Sequence, residues 1–335
     1  MGYKTTDGLM RHLRENGVQI NGSKQKRQLI NTGYYHGYKG YRFFRESNKK
    51  LPFVSYDEIY ATIQYDSKLK ALLYEKMMYI ETAVKNIALE SILVNTKSES
   101  IQDMFDRVIS GYNNAPITAS NSTRQELQKH KLDLQNLIQR SLASAYKKGN
   151  PRITHFYNNV GYGSVPLWAL FEILHMGDFG RLLSCLTWDV RNDISNRLGL
   201  NLACDTNREL TYKYIYALKD LRNAIAHNSV VFDTRFRNIT PSKPMVDCLK
   251  YDIGLPYVNF KTIGDYIILM SYYLKLLHVS KTEIKAFIRE FEKITDDYVR
   301  SVNPVVVSIV VQTDLKSRMN ILKNYCEYPS DNPIQ

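Results

Sequence analysis

The stretch SKLKALLYEKMMYIETAVKNIALESIL, residues 67–93, decides the fold class. Its apolar side chains recur at Leu69, Leu73, Met77, Ile80, Val84 and Ile87, in steps of three and four residues. That is the period of a long α-helix burying one stripe. The same period returns down the chain. Thr123 and Glu126 have capping-box spacing ahead of Leu127, Leu134, Leu137 and Leu142. Ser164 and Pro166 open a helix through Leu167, Leu170 and Leu174, and Asn207 is placed to cap one through Leu210, Tyr214, Leu218, Leu221 and Ile225. Two more helices are expected between Thr262 and Arg300. Strand signals reduce to Val230, Val231 and Phe232 with a partner near Tyr257 to Phe260, while the run from Val305 to Val311 suits a strand or a helix. The expected fold is mostly α with few short strands.

At 335 residues, with 44% hydrophobic and 23% charged side chains, the composition is that of an ordinary globular chain and excludes disordered, collagen-like and disulfide-scaffold classes. The expected organisation is a basic, aromatic-rich amino-terminal helical subdomain over 1–56, a helical domain over 57–300 and a carboxy-terminal extension over 301–335. Residues 96–122 read as a connection within the helical domain, with one short helix near 102–109. No apolar run approaches the roughly 20 residues of a membrane span, and the first residues lack a secretory apolar region. Cys185, Cys204, Cys248 and Cys326 lie far apart and form no zinc-spaced pair. Free thiols in a reducing cytoplasm are expected, with no metal and no cofactor.

A formal charge of +12 favours polyanionic partners. Most of the excess is local, because residues 1–50 hold eleven Lys or Arg against three acids, a net +8. Tyr34, Tyr35, Tyr38, Tyr41, Phe43 and Phe44 interleave with these cations, a mixture suited to phosphate pairing and base stacking, with Lys24, Lys26 and Arg27 as RNA contacts. The same aromatics equally suit the core of a small subdomain.

The sharpest chemical element is Leu221-Arg222-Asn223-Ala224-Ile225-Ala226-His227-Asn228. Asn223 and His227 are four apart and share a helical face, and Arg222 reaches the same place from the side. The trio suits RNA cleavage by the substrate's own 2′-hydroxyl. His227 moves a proton near neutral pH, Arg222 holds the phosphate bidentately, and Asn223 orients either group. A plain helix end, with Arg222 solvated and Asn228 capping, uses the same residues without chemistry. A second Arg-to-His spacing, Arg124 to His130, is explained by helix capping and by a Glu126–His130 neighbour pair.

The Arg222–His227 string resembles the active-site motif of the HEPN superfamily of helical ribonucleases, and the wider chain resembles the Abi family of bacterial abortive-infection proteins. The likeness runs from Tyr34-Tyr35-His36-Gly37-Tyr38-Lys39-Gly40-Tyr41, through Tyr79-Ile80-Glu81-Thr82-Ala83-Val84-Lys85 and Val165-Pro166-Leu167-Trp168-Ala169-Leu170-Phe171-Glu172, to the motif itself. It covers roughly residues 20 to 240. It implies a HEPN-type helical bundle and a metal-independent endoribonuclease acting as a toxin or anti-phage effector in a bacterial cytoplasm. A non-coding RNA or another antitoxin is the implied restraint. The resemblance also implies that Glu81 faces the motif helix and holds Arg222, where the plain reading is a surface pair with Lys85. After the His, relatives often carry a second His and an Arg. This chain has Asn228, Ser229 and Val230 instead, with Arg235 and Arg237 as substitute RNA-binding cations or, equally, as solvated loop charges.

In-line attack profits from two proton-transfer groups, and one credible His per chain argues for a homodimer. The alternative function is a non-catalytic helical RNA-binding or scaffold protein; a membrane-surface role uses the charge but leaves the motif unexplained.

Overall fold

A computed structural model describes residues 5–37, 52–159, 164–238 and 240–327, without the side chains of 34–37. The aromatic side chains from Tyr34 to Phe44 therefore lie outside the described residues. In chain order the helices are α1 (Thr6–Glu15), α2 (Ser23–Gly37), α3 (Tyr56–Thr96), α4 (Ile101–Arg107), α5 (Asn121–Lys147), α6 (Pro151–Asn158), α7 (Leu167–Ile173) and α8 (Met176–Cys185). They continue with α9 (Trp188–Arg197), α10 (Leu210–Ala226), α11 (Lys243–Ile253), α12 (Ile263–Leu276), α13 (Lys281–Val299), α14 (Pro304–Val310) and α15 (Leu315–Tyr325). The mostly α expectation holds. The few short strands do not: among the described residues pairing is limited to isolated bridges.

Everything is arranged around α3, whose 41 residues span about 60 Å at the α-helical rise. Its buried stripe is Leu69, Leu73, Met77, Ile80 and Val84, as the spacing predicts. Beyond Val84 the stripe passes to Ala88 and Ile92, and Ile87 is only half-buried, because steps of four outrun a strictly alternating three-four pattern. Among the described residues, helices α2, α4, α7, α8, α9, α10, α12 and α13 lie against it. At the α13 seam, Tyr65 stacks on Tyr298 at 4.3 Å between ring centres. The hydroxyls there are satisfied by Thr295 and Thr62, at 3.3 and 3.1 Å.

Capping departs from the sequence reading in two places. Ser120, not Thr123, caps α5, and its hydroxyl accepts from the Thr123 amide. Glu126 turns instead to His130, at 3.0 Å. Ahead of α10, the buried Asp205 carboxylate accepts from the amides of Glu209 and Leu210, at 2.7 and 3.2 Å, and does the work expected of Asn207. A carboxylate at a helix start also faces the positive end of the helix dipole.

The expected strand at Val230–Phe232 is replaced by a side chain. Asp66 on α3 accepts from the amides of Val231 and Phe232, at 2.7 and 3.2 Å, so these donors need no ladder partner. The ambiguous Val305–Val311 run becomes α14, with Pro304 in its first turn and Asn303 accepting from Val305 and Val306.

Both terminal segments join the main core. Leu9, Met10, Leu13, Val18, Ile20 and Leu29 are buried, and Gln25 and Thr32 bond Asp57 and Tyr56 at the start of α3. At the other end, α15 lies on α11, α12 and α13, where the fully buried Arg318 pairs with Asp265 and bonds the Tyr257 carbonyl and Gln312. No helix among the described residues is long and apolar enough to cross a membrane.

Candidate active site

The site is built at the carboxyl end of α10. One face of that helix, Leu210, Tyr214, Ile215, Leu218, Leu221 and Ala224, is buried, which leaves Asn223 and His227 exposed and Arg222 at the margin. His227 caps the helix just after Ala226; its amide bonds the Asn223 carbonyl at 2.9 Å. Asn228 then turns left-handed at φ 51°, a conformation Asn tolerates, and the Ser229 amide reaches back to Ala224 at 2.8 Å. The turn is held from α3. Lys70 donates to the Asn228 side chain at 2.7 Å and pairs with Asp66 at 2.7 Å, and Asp66 in turn holds Val231 and Phe232.

Glu81 is buried on α3 and faces the motif helix. One carboxylate oxygen accepts from Lys85 at 2.9 Å. The other has no hydrogen-bond partner and lies 4.0 Å from Arg222 Nε. Lys85 also donates to the Leu174 carbonyl at 2.7 Å. Glu81 thus stands between two cations, and the Glu81–Lys85 pair is no solvated surface pair. Among the described residues the hydrogen bonding of the Arg222 guanidinium is limited to a long 3.5 Å contact to the Asn223 side chain, so it keeps donors available for an anion. An exposed imidazole one turn from Asn223 completes an arrangement able to hold a phosphate and move a proton beside it.

Other expected site residues fall elsewhere. Arg237 bonds the carbonyls of Asn259 and Phe260, at 3.1 and 3.0 Å, and so ties the loop after Val230–Phe232 to the segment expected as its strand partner. Arg235 pairs with Asp233 at 2.6 Å; burial raises that carboxyl above the ordinary range although Arg235 opposes the shift. Both arginines thus have partners within the fold. Lys24 and Arg27 are exposed on α2, while Lys26 pairs with Asp7 at 2.6 Å. Because α2 meets α3 at Tyr56 and Asp57, these cations lie about 36 Å along α3 from Glu81. Arg124 is a loop organiser, donating to the carbonyls of Ala119, Tyr112 and Pro116.

One histidine beside the site escapes the sequence reading. His175 precedes α8 and is exposed. Helix α8 runs antiparallel to α10, with Gly177 against Lys219 and Gly180 against Tyr216, positions where a Cβ would meet those side chains at 3.2 and 3.0 Å. That register sets the start of α8 beside Arg222, in agreement with the Leu174–Lys85–Glu81–Arg222 chain of contacts. Nothing in local spacing marks His175, since 47 residues separate it from Arg222 and only the helix pairing joins them.

No curated protein and no solved structure matches this chain. The family model described as Abi-like protein matches residues 27–233, a span that includes Glu81, His175 and the whole Arg222–His227 motif. Since that span is well over half of the chain, the protein belongs to the Abi-like family.

Proposed function

We propose that this Abi-like protein serves abortive infection as an endoribonuclease of HEPN type that cuts RNA without a catalytic metal, through Arg222, Asn223 and His227. The observation that carries the reading is the partly exposed Arg222 guanidinium, backed by the buried Glu81 at 4.0 Å and flanked by exposed Asn223 and His227. The carboxylate attracts the guanidinium by charge without taking its hydrogen bonds, which leaves those donors for a phosphate. In the proposed step the 2′-oxygen attacks phosphorus and the bond to the 5′-oxygen breaks. One imidazole takes the 2′ proton while a second group protonates the leaving oxygen. Arg222 stabilises the charge that develops on the phosphoryl oxygens.

The toxin would be restrained by a non-coding RNA or another antitoxin, and Lys24 and Arg27, about 36 Å away along α3, offer a separate RNA-docking face. The test is cleavage of RNA in chelator, with 2′,3′-cyclic phosphate ends and a loss of about 10²- to 10⁴-fold in His227→Ala. A strict magnesium requirement with 5′-phosphate products overturns the mechanism. RNA binding without cleavage favours the alternative of a non-catalytic RNA-binding or scaffold protein.

Two arrangements supply the second proton-transfer group. In a homodimer, the two His227 side chains share one cleft. In a single chain, His175 does so, a reading favoured by its position beside Arg222. Mixing wild type with excess His227→Ala subunits separates them. Shared sites lose activity as mixed dimers form, whereas a complete site within one chain keeps activity proportional to wild-type chains and loses it in His175→Ala.

A further inference from the structure

Away from the Arg222 site, two thiols 44 residues apart in sequence meet a carboxylate. The Sγ atoms of Cys204 and Cys248 and a carboxylate oxygen of Asp252 all lie within 4.8 Å of one another. Cys204 belongs to the turn before α10, and Cys248 and Asp252 are four apart on one face of α11. Cys248 is buried, while Cys204 and Asp252 are partly open, which leaves a path for an ion and room for water.

We propose that Cys204, Cys248 and Asp252 form a binding site for a thiophilic divalent cation of the zinc type, with water as fourth ligand. The donor set suits it. Two soft thiolates with one hard carboxylate suit the borderline-soft zinc ion, and three protein ligands plus an open position is an established tetrahedral arrangement for it.

The surroundings hold these ligands in place. Asn201 donates from its side-chain amide to Asp252 Oδ1 at 2.7 Å. Its side-chain oxygen accepts from the Ala203 amide at 3.1 Å, and its backbone carbonyl accepts from the Cys204 amide at 3.1 Å. One residue thus fixes both the carboxylate and the turn that presents Cys204. Tyr272 donates to Asp252 Oδ2 at 2.8 Å, and the Cys248 thiol points at the same oxygen at 3.5 Å. Such outer hydrogen bonds orient a ligand before the ion arrives. Binding would form two metal–sulfur bonds and one metal–oxygen bond and release both thiol protons to solvent, with no change of oxidation state.

The place in the fold gives the site a consequence. Asp205, next to Cys204, holds the first amides of α10, and Tyr214 on α10 bonds the Met245 carbonyl on α11. A bound ion would tie the turn before α10 to α11, more than three helical turns from Arg222. Its effect is therefore expected on the stability of α10 and not on the chemistry at its far end.

The probe is cobalt(II) added to the full-length, reduced, metal-free protein, followed by zinc displacement. Expected are a thiolate-to-cobalt charge-transfer band with tetrahedral ligand-field bands, a rise in the thermal transition with zinc, and proton release. Cys204→Ser and Cys248→Ser should each abolish the charge-transfer signal or halve it, and Asp252→Asn should weaken affinity about tenfold or more. Cys185→Ser should leave all three readouts unchanged. Because a Cys248 variant risks misfolding, alkylation of the wild-type chain is the second measurement, in which zinc should protect Cys204 and Cys248 and leave Cys185 reactive on unfolding as before. Absence of cobalt uptake, uptake unaffected by the serine variants, or lack of zinc protection overturns the site. So does a Cys204–Cys248 disulfide that re-forms in air and leaves a reduced protein indifferent to both ions.

Discussion

Glu81 answers to two cations at once, and its unbonded oxygen faces Arg222, the one proposed to hold phosphate. Lys85 neutralises part of its charge at 2.9 Å, while Arg222 at 4.0 Å gains a field that orients it without occupying its outer donors. Glu81→Gln keeps the shape and removes the charge, so the expected result is a rate of RNA cleavage lower by up to about a hundredfold with an unchanged thermal transition, as for a guanidinium displaced by an ångström. An unaltered rate, measured as initial velocity at saturating RNA, would reduce Glu81 to a partner of Lys85. Arg222→Lys is expected to restore little, because an ammonium lacks the planar fork that engages two phosphate oxygens.

At the scale of the element, helix ends decide where functional side chains point. Helix α10 starts where Asp205 takes the amides of Glu209 and Leu210 and ends where Asn228 turns left-handed under Lys70. Asp205→Ala should therefore lower stability by about 1–2 kcal/mol in urea unfolding, whereas Asn207→Ala should have no comparable effect. If the two variants behave alike, the cap belongs to Asn207 after all. The end of α3 makes a second case. Lys97 is exposed and holds φ 53°, a conformation costing a non-glycine residue about 1–2 kcal/mol. Lys97→Gly should raise stability by roughly 0.5–1 kcal/mol once the added freedom of the unfolded chain is deducted.

For the whole molecule, the fold is one core reaching from α1 to α15. The carboxy-terminal helix is joined to it by Arg318 and Asp265, both buried, with the Tyr257 ring 4.5 Å below the guanidinium. Arg318→Met leaves a buried carboxylate without its cation and should cost about 3–5 kcal/mol, while Arg318→Met together with Asp265→Leu should recover most of that loss. A small penalty for the single variant would mean that α15 docks by apolar contact alone. Charge is distributed differently. Lys24 and Arg27 are exposed but Lys26 is held by Asp7, so neutralising all three should lower the slope of log affinity against log salt by about 1.4 for single-stranded RNA, the value for two phosphate contacts and not three.

The helical class, the long central helix and the Arg222–His227 motif are legible in the residues alone, because each is local: a period of 3.6 residues, or a spacing of one turn, is readable without knowing what lies opposite. Periodicity also placed Glu81 on α3, while only the resemblance turned it toward Arg222. Tertiary structure alone decided the rest. Side chains remote in sequence replaced local partners wherever a buried donor needed an acceptor, so Asp66 displaced an expected strand and Arg237 met the carbonyls of its supposed partner. The start of α8, with His175, came beside the end of α10, and Cys204 beside Cys248, through the packing of α8 and α11 on α10. No spacing rule encodes such meetings, since they depend on which faces of separate helices bury against each other.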